Sequence, residues 1–242
     1  MKDVRVIGVE GLPEIGPGDD LAALIHESAD LEDGDIVVVA QKAVSKAEGR
    51  IVPLKEISAS DRARELSADR DPRHTEVILG ETARIVRSRP PLLIAETRHG
   101  LVCASAGVDA SNAPEPETLV LLPLDPDTSA QRLRARLEEL SGRSLGVIVS
   151  DSFGRAWRQG TTDVAIGAAG IRPLLDLRGT RDPAGYELHA TAIAVADEIA
   201  GSAELVMGKT AGVPAAVIRG LDLAGEGSAA ELVMPAERDL FR

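Results

Sequence analysis

The sequence predicts an α+β fold, in which strands and helices mix without regular alternation. Continuous apolar runs at residues 36–40 and 145–149 are typical of strands that are buried on both faces. Apolar residues at helical spacing follow Asp19-Asp20, either of which can cap a helix, and the helix-opening segment Asp125-Pro126-Asp127-Thr128. Because the segments do not keep a strict β-α-β order, an α+β fold is favoured over a doubly wound sheet.

The first half of the chain alternates strand-like runs with loops rich in glycine and proline, and it contains one long charged stretch. That stretch, 60–89, has a helical pattern with a break near Asp71-Pro72, and we interpret its charges as a solvated helical face. We predict, in order, a strand at 4–9, a helix from Asp19 or Asp20 to about residue 27, strands at 36–40 and 51–53, two helices within 60–89, a hairpin of strands 92–96 and 101–105, and a strand at 118–122.

The second half is predicted to contain two helices and two strands. The helices cover residues 129–140 and 191–203, and the strands cover 145–149 and 215–218. A region rich in glycine and alanine, 166–171, receives no assignment. The adjacent acidic residues Asp197 and Glu198 fall within the second helix, where such a pair is usually solvated.

Composition and charge exclude several classes of protein. The 242 residues carry 27 basic and 39 acidic side chains, for a net charge of −12, so we expect no nucleic-acid partner. No apolar run is long enough to span a bilayer, and no signal-peptide pattern opens the sequence, so we expect no membrane association. A single cysteine, Cys103, excludes an internal disulfide and is expected to be buried; it favours the reducing cytoplasm.

Two aspartates follow apolar segments and have hydroxyl, amide or glycine neighbours. Asp109 lies in a Gly-X-Asp-X-Ser-Asn loop, and Asp151 with Ser152 follows the apolar run at 145–149. Carboxylate and hydroxyl oxygens suit hard cations such as Mg²⁺ or Mn²⁺. The alternative is that each aspartate caps a helix or closes a turn. The residues alone leave these two interpretations balanced.

Basic residues are concentrated near possible anion sites. The loop after Asp151 carries Arg155, Trp157 and Arg158, and its arginines can clamp anionic groups through paired hydrogen bonds. Trp157 either stacks on a planar ring or fills the core, which is its commoner fate. Lys209 lies in a Gly-Lys-Thr sequence that lacks the rest of a P-loop, so only a contact from this lysine to a phosphate stays open. We predict Asp151 and Arg155 as catalytic residues.

Five segments of the chain form a set when they are taken together. They are Gly11-Leu12-Pro13-Glu14-Ile15 with Gly18-Asp19-Asp20, Val44-Ser45-Lys46-Ala47-Glu48-Gly49-Arg50, Ala106-Gly107-Val108-Asp109-Ala110-Ser111-Asn112, Asp151-Ser152-Phe153-Gly154-Arg155, and Val195-Ala196-Asp197-Glu198-Ile199-Ala200. Their order and spacing resemble the coenzyme F420-0:γ-glutamyl ligase family over essentially the whole chain.

The resemblance implies a GTP-dependent ligase that joins L-glutamate to the terminal carboxylate of coenzyme F420-0 and extends the tail through γ-linkages. GTP would phosphorylate the carboxylate, and the glutamate amine would attack the resulting acyl phosphate. A divalent metal, Mn²⁺ or Mg²⁺, is implied, and the monovalent cation K⁺ is allowed. The resemblance also implies a homodimer in which residues 1–242 form a single ligase domain of two intertwined α/β subdomains with mixed sheets.

The resemblance further implies the roles of particular residues. Asp109, Asp151 and Ser152 would bind metal, and Ser152 keeps the hydroxyl of the threonine that is usual in the family. The implied nucleotide-binding residues are Leu12, Pro13, Glu14, Ile15, Gln41, Lys46, Asn112, Met207, Gly208 and Lys209.

Two positions depart from the family pattern. Lys209 stands where archaeal relatives often have an acidic or amide residue that supplies a second metal site, and Gln41 stands where a small hydroxyl residue is common. The 242 residues do not include the flavin-binding domain that many actinobacterial relatives carry. Two alternatives stay open: an F420-binding module without ligase activity, and another metal-assisted acyl- or phosphoryl-transfer enzyme on the same scaffold.

Overall fold

A mixed five-stranded sheet lies at the centre of the computed structural model, which describes residues 3–240. The strands are β1 Arg5–Gly8, β2 Ile36–Ala40, β3 Ile51–Pro53, β4 Thr82–Arg89, β5 Leu92–Thr97, β6 Val102–Ala104, β7 Thr118–Val120, β8 Gly146–Gly154, β9 Thr161–Ala169, β10 Leu175–Asp176, β11 Ala192–Ile193 and β12 Ala215–Arg219. The helices are α1 Leu21–Ser28, α2 Gln41–Ala47, α3 Asp61–Ser67, α4 Pro72–Glu81, α5 Pro126–Ser141 and α6 Val195–Met207.

The central sheet has the strand order β1-β12-β2-β8-β9. Strands β2 and β8 run parallel, and the other neighbouring pairs in this sheet run antiparallel. Strands β4, β5 and β6 form an antiparallel sheet, while β3 with β7 and β10 with β11 form two-stranded pairs. The α+β prediction is confirmed, and the parallel pair brings two carboxyl-terminal strand ends to one edge.

Alternating side chains of the central strands build two separate cores. On one face, Val37 and Val147 pack in a cluster with α1 and α5. On the other, Val38 and Ile148 pack in a cluster with α6. Burial on both faces explains why β2 and the first half of β8 are continuous apolar runs. No helix in the described part of the chain, 3–240, has the length and apolar character needed to cross a membrane.

The predicted helix starts rest on identifiable capping residues. Asp20 accepts a hydrogen bond from the amide of Ala23 at 3.1 Å, which caps α1. Asp125 caps α5 in the same way, and Pro126 follows it in the first turn, where a missing N–H costs nothing. Both predicted caps are confirmed.

Four assignments along the chain need correction or addition. Residues 82–89, predicted as helical, form strand β4, which pairs with β5; the arginines on either side of Ile85 and Val86 hide the strand pattern. Helix α2 was not predicted, since its seven residues are too few for a clear period. Strand β9 covers much of the unassigned glycine- and alanine-rich region. Helix α6 begins and ends four residues later than predicted.

Two individual side chains also differ from expectation. Trp157 is 83% exposed, so the prediction that it fills the core is wrong. Asp197 is half-buried and accepts a hydrogen bond at 2.9 Å from the amide of Ala165, so it is not part of a solvated pair, whereas Glu198 is exposed. Asp197 therefore fastens the first turn of α6 to β9.

Candidate functional site

A cavity of about 390 Å³ opens where the parallel strands β2 and β8 end. Ligand sites of open sheets commonly form outside the carboxyl ends of such strands. The wall contains all but two of the predicted site residues: Leu12, Pro13, Glu14, Ile15, Gln41, Lys46, Asn112, Asp151, Ser152, Met207, Gly208 and Lys209. Asp109 and Arg155 are the two that do not line it.

Oxygen atoms from β8 and β9 form the acidic wall of the cavity. Ser150, Asp151 and Ser152 follow a bulge in the β8–β9 ladder, and bulges commonly redirect side chains beside functional sites. Asp163 on β9 accepts hydrogen bonds from both serine hydroxyls, at 2.9 Å from Ser150 and 2.7 Å from Ser152. Two carboxylates and two hydroxyls therefore meet on this wall.

The carboxyl group of Asp151 is buried, and two other carboxylates, Asp163 and Asp109, lie near it. Burial raises its pKa to about 7, and the negative charges of Asp163 and Asp109 add to the rise. A hydrogen bond from the Ser152 backbone and the charge of Lys42 act in the opposite direction. A cation beside Asp151 would relieve this unfavourable burial of charge.

Asp109 lies behind the cavity wall and is paired with a lysine that lines it. Lys42 Nζ, in the first turn of α2, lies 2.6 Å from Asp109 Oδ2. Ser111 donates to the same carboxylate through its hydroxyl and its amide. Burial alone would raise the pKa of Asp109, but the hydrogen bonds from Lys42 and Ser111 outweigh it and the pKa is lowered. Asp109 is thus held as an anion.

Amide and ammonium donors also line the cavity. Gln41 is 2% exposed; its Oε1 accepts from the Ser45 hydroxyl at 2.8 Å, and its Nε2 has no partner within residues 3–240. A buried donor without an acceptor is costly, so this atom is suited to an acceptor on a ligand. Lys46 is buried and donates to Glu14. Three of the chain's five lysines, Lys42, Lys46 and Lys209, line this one cavity.

The loop after α6 closes another side of the cavity. Asn112 has a positive φ of 54°, and its Nδ2 lies 3.5 Å from the Lys209 backbone oxygen, which brings the two predicted nucleotide segments together. Glu204 on α6 also lines the cavity. Burial raises its pKa, the charge of Asp163 adds to the rise, and Lys209 opposes it.

The predicted catalytic Arg155 is exposed and lies outside the cavity wall. Its Nη2 lies 3.4 Å from the backbone oxygen of Gln159, within a loop that also presents Trp157 to solvent. Arg155 and Trp157 follow the end of β8 in the chain, and neither lines the cavity. The arginine's catalytic role stays a prediction.

The sequence alone did not single out Lys42, Asp163 or Glu204 as site residues. Lys42 is the second residue after the end of β2, and that position was the available signal. Asp163 reaches the cavity because it pairs with Ser152 across the ladder, and Glu204 because α6 packs on the sheet. The positions of Asp163 and Glu204 in the cavity depend on contacts between distant segments, which cannot be predicted from the local sequence pattern.

The donor chemistry of the acidic wall fits a hard divalent cation. Asp151 supplies a carboxylate, and Ser152 supplies a hydroxyl oxygen. Within residues 3–240, no group of three or more His, Cys, Asp or Glu side chains is arranged as a complete metal site. Mg²⁺ is commonly bound by one or two carboxylates together with substrate phosphates, so an incomplete protein shell suits a metal that arrives with a nucleotide.

The fold and cavity define an α+β protein whose cavity is lined by carboxylate and hydroxyl oxygens and by three lysines, a lining whose chemistry suits anions and a cation. Comparisons with known proteins narrow this class. The sequence model of the F420-0:Gamma-glutamyl ligase family matches residues 11–220. The chain belongs to this family.

Curated relatives match over nearly the full length. A protein named coenzyme F420:L-glutamate ligase from Methanopyrus kandleri is 47% identical and covers 100% of both chains. Proteins of the same name from Methanothermobacter thermautotrophicus and Archaeoglobus fulgidus are each 46% identical; they cover 99% of this chain, and 99% and 96% of their own lengths.

Proposed function

We propose that this protein is a GTP-dependent ligase that adds L-glutamate to coenzyme F420-0 and extends the γ-linked tail. The observation that carries the proposal is the cavity, whose lining combines three lysines with a group of carboxylate and hydroxyl oxygens. The names of the full-length relatives supply the substrates, coenzyme F420 and L-glutamate. We further propose that GTP is the nucleotide. The lysines of the cavity are suited to its phosphates, and the unpaired Gln41 amide is suited to an acceptor atom on it.

The proposed reaction proceeds in two balanced steps. A carboxylate oxygen of F420-0 attacks the γ-phosphorus of GTP, the bond to the β-phosphate oxygen breaks, and GDP leaves. The glutamate amine then attacks the carbonyl carbon of the acyl phosphate and loses a proton, and phosphate leaves with the former carboxylate oxygen. All reactants are anions, so catalysis requires positive charge placed in advance.

The residues of the cavity have separate tasks in this proposal. Leu12, Pro13, Ile15 and Met207 would surround the nucleotide, and Gln41 and Asn112 would donate to its acceptors. Lys46 and Lys209 would contact its phosphates, and Glu14 would hold the Lys46 ammonium in place.

We assign the divalent metal, Mn²⁺ or Mg²⁺, to Asp151 and Ser152, with Asp109 as a further ligand. The metal would neutralise charge on the phosphate oxygens during transfer. Asp109 would reach it by exchanging its bond with Lys42. Because Lys209 stands where archaeal relatives often have an acidic or amide residue, a second divalent site there would need a ligand from another residue. We propose K⁺ as a further cation. We also propose that Arg155 binds the acidic tail of F420 through paired hydrogen bonds.

We also propose that the protein is a cytoplasmic homodimer with intertwined subdomains. Exposed apolar side chains, including Leu92, Val102 and Leu124, support a protein partner at the β4–β6 sheet and its surroundings. The single buried cysteine suits a reducing compartment. Light scattering after size-exclusion chromatography should give twice the chain mass; a monomer mass at micromolar concentration would refute the dimer.

The decisive experiment incubates the protein with GTP, Mn²⁺, L-glutamate and F420-0 whose terminal carboxylate carries ¹⁸O. Mass spectrometry should detect glutamylated F420, GDP, and phosphate that contains one ¹⁸O. Product with unlabelled phosphate would refute the acyl phosphate and keep the ligase. Tight F420 binding without GTP turnover would instead establish the binding-module alternative. The variant Asp151→Ala should lower turnover by at least about 10²-fold and retain the fold.

A second experiment tests the nucleotide wall by itself. Lys46→Ala should weaken GTP binding about 10-fold or more in isothermal titration calorimetry, because it removes a buried ammonium from the phosphate site. Lys55→Ala is the matched control, since Lys55 is exposed and lies outside the cavity. Equal affinities of the two variants for GTP would argue against this nucleotide position.

A further inference from the structure

Asp163 is a buried carboxylate that faces the end of β8. The residue is 4% exposed, and it pairs directly with Ser152 in the antiparallel ladder. Within residues 3–240, no lysine, arginine or histidine nitrogen lies within 4.0 Å of its carboxylate oxygens. A buried carboxylate without a cationic partner is expensive, so its position calls for a physical explanation.

The partners of Asp163 are two hydroxyl groups, one on each oxygen of its carboxylate. Ser150 donates to Oδ2 at 2.9 Å, and Ser152 donates to Oδ1 at 2.7 Å. Both distances are typical of good hydrogen bonds between hydroxyl and carboxylate oxygens. The two serines lie on either side of Asp151, so one carboxylate on β9 fixes the hydroxyl orientation on both sides of that residue.

This arrangement determines what the serine oxygens can offer to a ligand. A serine hydroxyl has one proton and two lone pairs. Since Ser152 gives its proton to Asp163, its oxygen can present only lone pairs to the cavity. Such an oxygen can accept from a donor or bind a cation, but it cannot donate to a phosphate oxygen.

The charge around the pair is consistent with a cation at this point. Asp163, Asp151 and Glu204 all line the cavity, and the charge of Asp163 adds to the burial effect that raises the pKa of the other two. An added cation would stabilise this group of carboxylates.

We propose that Asp163 is a positioning residue, which orients the Ser152 hydroxyl so that its oxygen faces a divalent cation bound in the cavity. The inference rests on the proposed function, because it assumes the metal of the ligase reaction. Outer partners of this kind fix the direction of the ligand atom, and their loss commonly lowers metal affinity 10- to 100-fold.

The test measures Mn²⁺ binding directly, by electron paramagnetic resonance of the free ion, with and without saturating GDP. Asp163→Asn should raise the Mn²⁺ dissociation constant about 10- to 100-fold, because an amide group donates to one serine oxygen and occupies a lone pair. Asp176→Asn is the control for the change in net charge; Asp176 is exposed on β10 and should leave Mn²⁺ binding unchanged.

A double-mutant cycle separates positioning from simple charge. In a Ser152→Ala background the ligand oxygen is gone, so Asp163→Asn should add less than about 3-fold to the dissociation constant. A full effect of Asp163→Asn in both backgrounds would show that the carboxylate acts only through its charge, and this would overturn the proposal. Wild-type Mn²⁺ affinity in Asp163→Asn would also overturn it.

A further variant covers the case in which Asp163→Asn does not fold. Ser150→Ala keeps the Asp163 charge but removes one of its two donors, so it should weaken Mn²⁺ binding several-fold through looser orientation of Ser152. Unchanged binding in both Ser150→Ala and Ser152→Ala would overturn the inference. If the wild-type protein ligates glutamate while either overturning result is found, the inference fails alone; if it binds no Mn²⁺ and forms no product, the proposed function fails with it.

Discussion

Lys42 and Asp109 form an ion pair across 2.6 Å that ties the first turn of α2 to the loop before β7. The side chain of Lys42 is 16% exposed and that of Asp109 is 39% exposed, so the pair is partly shielded from water. Partial shielding strengthens the attraction between the charges but also increases the cost of leaving either one alone. The pair therefore links the stability of two segments beside the cavity.

The first prediction concerns the energy of this pair. Lys42→Met should lower the free energy of unfolding by about 1–2 kcal/mol, because Asp109 loses a strong partner while it stays partly buried. A double-mutant cycle with Asp109→Asn, measured by urea unfolding, should give a coupling of about 1 kcal/mol.

The exposed pair Arg62–Glu65 is the matched control. Its side chains are 56% and 67% exposed and lie three residues apart on α3, so its coupling should be at most about 0.5 kcal/mol. A coupling for Lys42 and Asp109 that does not exceed the control value would contradict the assigned role.

The second prediction concerns the pH dependence of stability in metal-free protein. The native pKa of Asp151 is about 7, above the value near 3.9 of an unfolded aspartate, so the native state binds more protons between these values. The contribution of Asp151 to stability is therefore full below about pH 4 and is lost as the pH rises through 7. The stability of Asp151→Asn relative to the wild type should therefore rise by about 2–3 kcal/mol between pH 5 and pH 8, mostly below pH 7.

Urea unfolding at several pH values, with EDTA present, measures this difference. Asp176→Asn is the comparison, because hydrogen bonds from Arg178 lower the pKa of Asp176 to about 2. Both its native and unfolded pKa values lie below pH 5, so this variant should show no change relative to the wild type from pH 5 to pH 8. A flat difference for Asp151→Asn over the same range would mean that Asp151 is not protonated as described.

Much of the fold was predictable from local pattern, because β2 and β8 are long apolar runs and because Asp20 and Asp125 cap their helices in sequence as in structure. Strand β9 was not, since residues such as Gly167 and Ala168 have little intrinsic strand preference. Gly167 is small because the start of α5 packs closely on that strand, and Ala168 packs on the other face in the cluster that contains α6. The close packing requires small residues in β9, and these residues do not show a strand pattern in the sequence.

The residues of the candidate site likewise divide into those that could be predicted from the sequence and those that could not. The segments around Gln41, Lys46 and Asp151 were identified by their resemblance to a family, and the structure brings them to one cavity. Asp163 and Glu204 could not be found in this way, because they enter the site through the β8–β9 ladder and through the packing of α6. A residue that reaches the site from a neighbouring strand, as Asp163 does, has no recognisable motif in the sequence around it.

The third prediction concerns the reactivity of the single cysteine. Cys103 is 7% exposed, and burial, with a smaller contribution from the charge of Asp151, raises its pKa to about 12. Because the thiolate is the reactive form, Ellman's reagent at pH 8 should modify the native protein at least about 100-fold more slowly than the urea-unfolded protein.

An exposed thiol calibrates this measurement. The variant Lys55→Cys places a second thiol at an exposed position, and that thiol should react at a rate close to that of the unfolded chain. If native Cys103 reacted within 10-fold of the added thiol, the segment around β6 would have to open far more often than its buried contacts imply.

The fourth prediction tests the close approach of α5 to β9. A Cβ atom added at Gly167 would lie 2.2 Å from the backbone oxygen of Pro126 and 2.4 Å from its carbonyl carbon. Backbone atoms cannot rotate away, so Gly167→Ala must separate the start of α5 from the strand that carries Asp163. We expect a loss of about 2–4 kcal/mol in the free energy of unfolding.

Gly80→Ala is the control for this prediction, because it is the same substitution at a position where stability should not fall. Gly80 lies in α4, and a Cβ atom there meets no atom within 4 Å. Since alanine restricts the unfolded chain and favours helix, this variant should be unchanged or more stable by up to about 1 kcal/mol. Urea unfolding of the two variants in parallel measures the difference. Equal stabilities would show that the α5–β9 contact can relax by a shift of the helix, and Asp163 would then lie on a movable support rather than on a fixed one.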